Sequence, residues 1–173
     1  MSTDSSQLDP NVKTAADYHQ ARETAKANGD LRAFGTASND LGVSLYLDGK
    51  YEEAKGVFEE ARATFAQLND ASGQAFSSGN LARVEERLGN RDKAMGLYQQ
   101  AADLFKAAGD GDTQSVTLRM LSQMHFKKGD MMMALLVYTR ALEAKPKRNA
   151  FDNMLLSLYR IPLNLMGIDK TQS

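Results

Sequence analysis

The chain has 173 residues, enough for one domain with a continuous core and too few for two comfortable ones. It holds no cysteine, so neither a disulfide framework nor thiolate chemistry is open to it, which fits a reducing compartment. A formal net charge of −1 argues against wholesale nucleic-acid binding, although acids predominate over residues 1–80 and bases over residues 113–173.

Three prolines, abundant alanine and few β-branched residues favour helix throughout. Met1 to Leu8 reads as a polar, serine-rich, disordered tail. Asp9-Pro10 then reads as an N-cap followed by proline at the first helical position, opening a helix that runs to about Asn28. Gly29 ends it and Asp30 can cap the next. Helices follow at roughly 31–48, 51–68, 71–88, 91–108, 112–128 and 131–145. The breaks between them carry turn chemistry: Asp48-Gly49, Asn69-Asp70, Gly89-Asn90, Gly109-Asp110-Gly111 and Gly129-Asp130. A last helix, Asn149 to about Met166, is apolar nearly all round, with Asp152 and Arg160 as its charges and Pro162 expected to kink or end it. It either buries against the preceding helices, folding back into their groove, or offers a surface to another subunit or partner. A membrane surface is the weakest of these occupants, because a basic polar face is lacking. Residues 169–173 form a short tail. No apolar run near the start could serve as a signal peptide, and no segment reaches the ~20 apolar residues of a membrane span, so the expected address is cytoplasmic.

These helices are one hairpin written three times. Leu41, Gly42, Gly49, Ala54, Phe58 and Ala61 recur 40 residues on as Leu81, Ala82, Gly89, Ala94, Tyr98 and Ala101, and again as Leu121, Ser122, Gly129, Ala134, Tyr138 and Ala141. Small residues at 42, 82, 122 and at 54, 94, 134 let two helices approach closely. The aromatic at 58, 98 and 138 fills the space beside that contact. Tyr18, Ala21 and Ala25 lie 40 residues before Phe58, Ala61 and Phe65, so the first helix matches the second half of a repeat. The pattern resembles the tetratricopeptide repeat, completed in the third copy by Pro146. Its 40-residue spacing is similar to the long-helix variety of kinesin light chain and spindle-orientation adaptors. The resemblance implies an all-α, right-handed solenoid of antiparallel helix pairs over residues 9–148, followed by the apolar helix of residues 149–168.

Chemistry is sparse. His19 and His125 are the two histidines, and neither opens a metal-binding spacing; His125 takes the place of Leu45 in the repeat and reads as a packed or half-exposed side chain. Glu85 takes the same place in the second copy, where a half-buried carboxylate could pair with a nearby arginine. No phosphate-cradling glycine motif is present. The reading is therefore a protein that is not an enzyme and needs neither cofactor nor metal. The basic stretch Lys145 to Arg148 reads as the repeat's own proline with cations suited to a helix C-terminus, or else as a localisation or phosphate patch.

The resemblance places a concave groove along the first helix of each pair. It implies Asn39, Asp40, Val43, Tyr46 and Leu47 from the first copy, Phe76, Asn80, Arg83, Glu86 and Arg87 from the second, and Arg119, Met120, Gln123, Phe126 and Lys127 from the third. Asn80 matches the asparagine that contacts peptide backbone in the long-repeat adaptors, whereas Asp40 and Met120 depart from it. Asn80, Arg83 and Arg87 share a helix face by their spacing, and Arg119, Gln123 and Lys127 lie on the neighbouring helix. With Phe76 and Phe126 beside them, these cations make a seat for an acidic or carboxylate-bearing peptide. Alternatively they pair with Glu85, Glu86 or Asp92 and only keep the surface soluble. The expected function is an adaptor for a protein or peptide partner. The rivals are an assembly protein self-associating through residues 149–168 and a regulatory subunit docking on a larger complex.

Overall fold

The computed structural model describes residues 14–165 and 167. They form eight helices: α1 Ala15–Ala27, α2 Leu31–Leu47, α3 Tyr51–Gln67, α4 Ala71–Arg87, α5 Arg91–Ala107, α6 Gly111–Lys128, α7 Met131–Ala144 and α8 Ala150–Leu165. Consecutive helices pack as antiparallel neighbours. Every strong helix contact joins elements adjacent in the chain, with α2 against α4 as the one substantial exception. That is the packing of a solenoid, in which each unit buries its apolar face on the next.

The six breaks from α1 to α7 are built the same way. At the end of α2 the Gly49 N–H donates to the Tyr46 carbonyl at 3.1 Å and the Lys50 N–H to the Leu45 carbonyl at 2.9 Å. This double bond pattern requires a left-handed residue at position 49, which glycine adopts with φ 78°. Glycine recurs there at 29, 89, 109 and 129, and Asn69, with φ 52°, takes its place after α3. Aspartate caps α2, α4, α6 and α7, where Asp30, Asp70, Asp110 and Asp130 accept from the N–H groups of Ala33, Gly73, Thr113 and Met133, whereas Lys50 and Asn90 at the starts of α3 and α5 make no such bond.

The core runs along the hairpins. Ala54, Ala82, Ala94 and Ala141 are wholly buried, and Phe58 and Tyr98 fill the gaps that these small residues leave. The helices approach closely at Gly42, where a methyl group would sit 2.6 Å from the Phe58 ring, and at Gly73, where it would sit closer still to the Phe65 ring.

One expectation is corrected and two are narrowed. The described first helix begins at Ala15, with Thr14 and Asp17 forming a reciprocal capping box, while the start expected at Asp9-Pro10 lies outside the described residues, as do both tails. α8 spans Ala150–Leu165, close to the expected Asn149 to Met166, and runs through Pro162, so of the two effects expected of that proline it does not end the helix there. Of the two fates expected for its apolar surface, α8 shows part of each. Asp152, Leu156 and Leu163 are buried and Tyr159 meets Tyr138 edge-on at 5.8 Å, whereas Phe151, Met154, Leu158, Ile161 and Leu165 are exposed. No helix among the described residues is long and apolar enough to cross a membrane.

Candidate functional site

The first helices of the hairpins, α2, α4 and α6, present three adjoining depressions. One, of about 280 Å³, is lined by Asn39, Val43, Phe76 and Asn80. A shallow saddle over Val43, Tyr46, Asn80 and Arg83 leads from it to a second cavity of about 500 Å³. Tyr46, Arg83, Glu86, Arg87, Tyr98 and Met120 line the second. Asn80 is common to the first two, and Tyr46 with Arg83 to the last two, so the three form one groove across the hairpins.

Its second cavity is organised by Tyr46. The Arg83 guanidinium lies 4.7 Å from the centre of the Tyr46 ring. That of Arg87 lies 5.8 Å from the same ring and 5.7 Å from Tyr51, and its Nε donates to the Tyr46 hydroxyl at 3.2 Å. Tyr46 and Tyr51 are themselves tilted together at 5.4 Å. Cation–π stacking holds the two arginines extended along the wall without neutralising them. The hydrogen bond that Arg87 donates to Tyr46, followed by the charge environment of Tyr46 and Tyr51, pushes Arg87 still further toward the charged form. Tyr98 closes the floor. Burial, followed by the Glu86 carboxylate, raises its phenol to about 12, against the opposing pull of Arg83.

The acids near this site are claimed by lysines. Glu86 accepts from Lys127 at 3.0 Å and Asp92 from Lys128 at 2.8 Å. Glu85, expected to be half-buried beside an arginine, is wholly buried and held by other groups. Its Oε2 accepts from Asn90 at 2.7 Å, and its Oε1 faces Lys93 at 2.5 Å and Lys55 at 3.4 Å as ion pairs without hydrogen-bond alignment. The correction has a geometric reason. Arg83 and Arg87 project into the groove, while Glu85 turns toward the first turn of α5 and the side of α3. Burial alone would raise the Glu85 pKa. Lys93, Asn90 and Lys55 together outweigh it and hold the carboxyl below its ordinary range. Among the described residues no carboxylate lies within ion-pair distance of Arg83, and Asn80 makes no side-chain hydrogen bond.

The sequence-expected residues therefore divide. Asn39, Tyr46, Phe76, Asn80, Arg83 and Arg87 line the groove, although the Asn39 carbonyl oxygen already accepts from Ser77 at 3.0 Å. Phe76 is half exposed and stacks edge-on against Phe105 at 4.9 Å. Arg119, Gln123, Phe126 and Lys127 are exposed on α6 and line none of the three depressions. Lys127 is engaged by Glu86, and Arg119 lies in the field of Asp152. Met120, a departure from the adaptor pattern, does line the second cavity, as does Tyr98, which its place in the repeat assigned to packing alone.

Elsewhere the remaining motifs serve the fold. Lys145 donates to both oxygens of Asp152 at 2.9 and 2.8 Å, Arg148 donates to the Glu143 carbonyl, and Pro146 packs at the start of α6 beside Gly111. His125 is half-buried with its Nδ1 3.7 Å from Asp130. Among the described residues no cluster of histidine and carboxylate side chains could hold a metal ion.

A solved structure has a similar fold. BtubC (BKLC) from P. vanneervenii is 24% identical with a TM-score of 0.67, over 79% of this chain and 60% of that one. The likeness is one of fold, and this chain spans 60% of BtubC's length. Two structures of a TPR-like repeat protein from Podosopora anserina, assigned as a kinesin light chain, also match. They are 15% and 14% identical with TM-scores of 0.39, over 88% and 91% of this chain and 95% and 97% of theirs. No curated protein matches the sequence. A family model described as tetratricopeptide repeat matches residues 32–107 and again residues 73–147. With these overlapping matches falling on the hairpins described above, the chain belongs to the tetratricopeptide repeat family.

Proposed function

We propose that the protein is a non-catalytic adaptor of the cytoplasm, the compartment its cysteine-free chain suits, and that it seats an extended, acidic peptide segment of a protein partner in the groove of α2 and α4. The observation that carries this reading is the pair of arginines on Tyr46. Arg83 and Arg87 are ordered by stacking yet are not neutralised by a carboxylate, so a ligand carboxylate gains charge-assisted hydrogen bonds without first breaking an ion pair. Asn80 offers an amide to the ligand backbone, and Phe76 and Met120 offer apolar contact at either end. Arg119, Gln123, Phe126 and Lys127 extend the seat along α6, where their positive field steers acidic segments toward the groove.

Selection from a random peptide library tests the proposal. Wild type should enrich acidic sequences, and Arg83→Glu should lose that enrichment while retaining its helicity. Reversal of an exposed charge on α3, Glu53→Lys, should leave the selected sequences unchanged. Glu60 is unsuitable for that control because it is paired with Arg22. Enrichment of basic or purely apolar sequences by the wild type would overturn the reading, as would loss of binding in Glu53→Lys with Arg83→Glu intact.

A further inference from the structure

α8 carries a second surface, independent of the groove. Its exposed residues Phe151, Met154, Leu158, Ile161 and Leu165 are spaced alternately by three and four positions, so they form one continuous stripe down the helix. They are exposed by 61, 55, 55, 58 and 84% respectively. The opposite side of α8 is already occupied: Leu156 and Leu163 are buried, and Tyr159 rests on Tyr138. Both charged side chains of the helix are committed to the protein's own α7 segment, Asp152 to Lys145 and Arg160 to Glu143. The stripe therefore contains no charge, and its neighbours Ser157 and Asn164 are polar and neutral.

We infer that this stripe is the interface of a homodimer, formed by α8 packing antiparallel against α8 of a second copy about a two-fold axis. Three features select that occupant. First, the alternating spacing is the seam of a two-helix packing, which needs a partner stripe of the same period, and a second copy supplies one. Second, five large side chains each leaving on the order of 100 Å² or more in water give about 600 Å² per copy and about 1,200 Å² per pair, the lower edge of the range for stable association. Third, exposed Lys147 and Arg148 lie just before α8, Arg148 also donating to the Glu143 carbonyl and the Asn153 side chain. An antiparallel pair sets them beside the carbonyl end of the partner helix, which carries partial negative charge, whereas a parallel pair would bring like charges together. In the antiparallel register Leu158 meets its own copy at the axis, Met154 meets Ile161 and Phe151 meets Leu165. Such a dimer carries two grooves, so a partner with two acidic segments would be held by both.

Sedimentation equilibrium of the full chain at about 100 µM, with helicity followed by circular dichroism, should show a dimer. Leu158→Glu, which sets two carboxylates against each other at the axis, should raise the dimer dissociation constant at least ~100-fold without loss of helicity, because the side chain it replaces is exposed. The absence of native cysteine allows single-cysteine variants to report the direction of packing should the glutamate variant fail to fold. With diamide as the oxidant, Leu158→Cys should cross-link to itself, and a mixture of Phe151→Cys and Leu165→Cys should give the mixed disulfide in preference to either homodimer. A monomer at this concentration, a dimer that folded Leu158→Glu leaves intact, or preferential linkage of Phe151→Cys to itself would each overturn the inference.

Discussion

Lys93, in the first turn of α5, reaches back across the α4–α5 turn to the wholly buried carboxylate of Glu85, with 2.5 Å between Nζ and Oε1. Lys93 keeps about half its side-chain surface in water, so the pair joins a buried anion to a cation that can leave. Removing one partner is thus unlike removing the other. Lys93→Ala should destabilise the protein by on the order of 1–3 kcal/mol, because a buried acceptor loses compensation. Glu85→Leu restores the residue that the first repeat carries at Leu45, frees the lysines to solvate, and should be neutral or stabilising. Urea denaturation of both variants at neutral pH checks the contrast.

Acid should expose the same pair. The folded-state pKa of Glu85 lies below its ordinary 4.5, so its stabilising contribution is complete above that value and is lost as pH falls through the depressed one. Between about pH 5 and pH 3 the wild type should lose more stability than Glu85→Leu, measured by urea midpoints at each pH. Equal losses would show that Glu85 is not coupled to folding.

Glycine substitution should have opposite signs at two helical positions. At Gly42 an added methyl would lie 2.6–2.8 Å from the Phe58 ring, whose side chain is itself buried, so Gly42→Ala should cost about 1–3 kcal/mol. At Gly56, within α3, nothing lies within 4 Å, and Gly56→Ala should stabilise by roughly 0.5–1 kcal/mol through the unfolded chain's lost freedom. Thermal melts of the two variants suffice to compare them.

Ala94 faces the same kind of contact in the second hairpin and is wholly buried. Ala94→Leu should overpack it by on the order of 1–3 kcal/mol. An unchanged melting temperature would show that the 40-residue register has been misplaced.

Tyr46 can be dissected at the groove. Tyr46→Phe retains the aromatic face and loses only the hydroxyl that accepts from Arg87, whereas Tyr46→Ala releases the Arg83 guanidinium and leaves that of Arg87 on Tyr51 alone. A peptide selected by the wild type should bind the phenylalanine variant within a few-fold of wild type. It should bind the alanine variant more than tenfold more weakly, chiefly through faster dissociation, in a titration at fixed salt.

The helices and their register were legible because the repeat reports itself: Leu41, Leu81 and Leu121 occupy equivalent buried places, and each glycine turn lies where the spacing puts it. What escaped depended on contacts between units. Tyr46 sits on one hairpin and Arg83 on the next, so their proximity followed from register but the stacking did not. Glu85 found Lys55 on α3 and Lys93 beyond the next turn because the nearby arginines face the other way. Periodicity alone could not choose between the apolar faces of α8; the bonds that Lys145 donates to Asp152 help to decide it. The start of the first helix was open to reading, since Thr14-Ala15-Ala16-Asp17 spells a capping box, but Asp9-Pro10 offered a competing signal.

Among the described residues nearly every helix packs on its neighbours in the chain, α2 on α4 being the substantial exception, so the molecule's helix contacts reach no further than about one repeat along the sequence. Its folding therefore needs no distant encounter and should proceed quickly from any hairpin outward. Under a pulling force the same architecture would yield unit by unit instead of breaking at once. The turns at Gly49, Gly89 and Gly129 would act as joints between stiff segments, and a partner seated across α2 and α4 would bridge the joint between them and resist its opening.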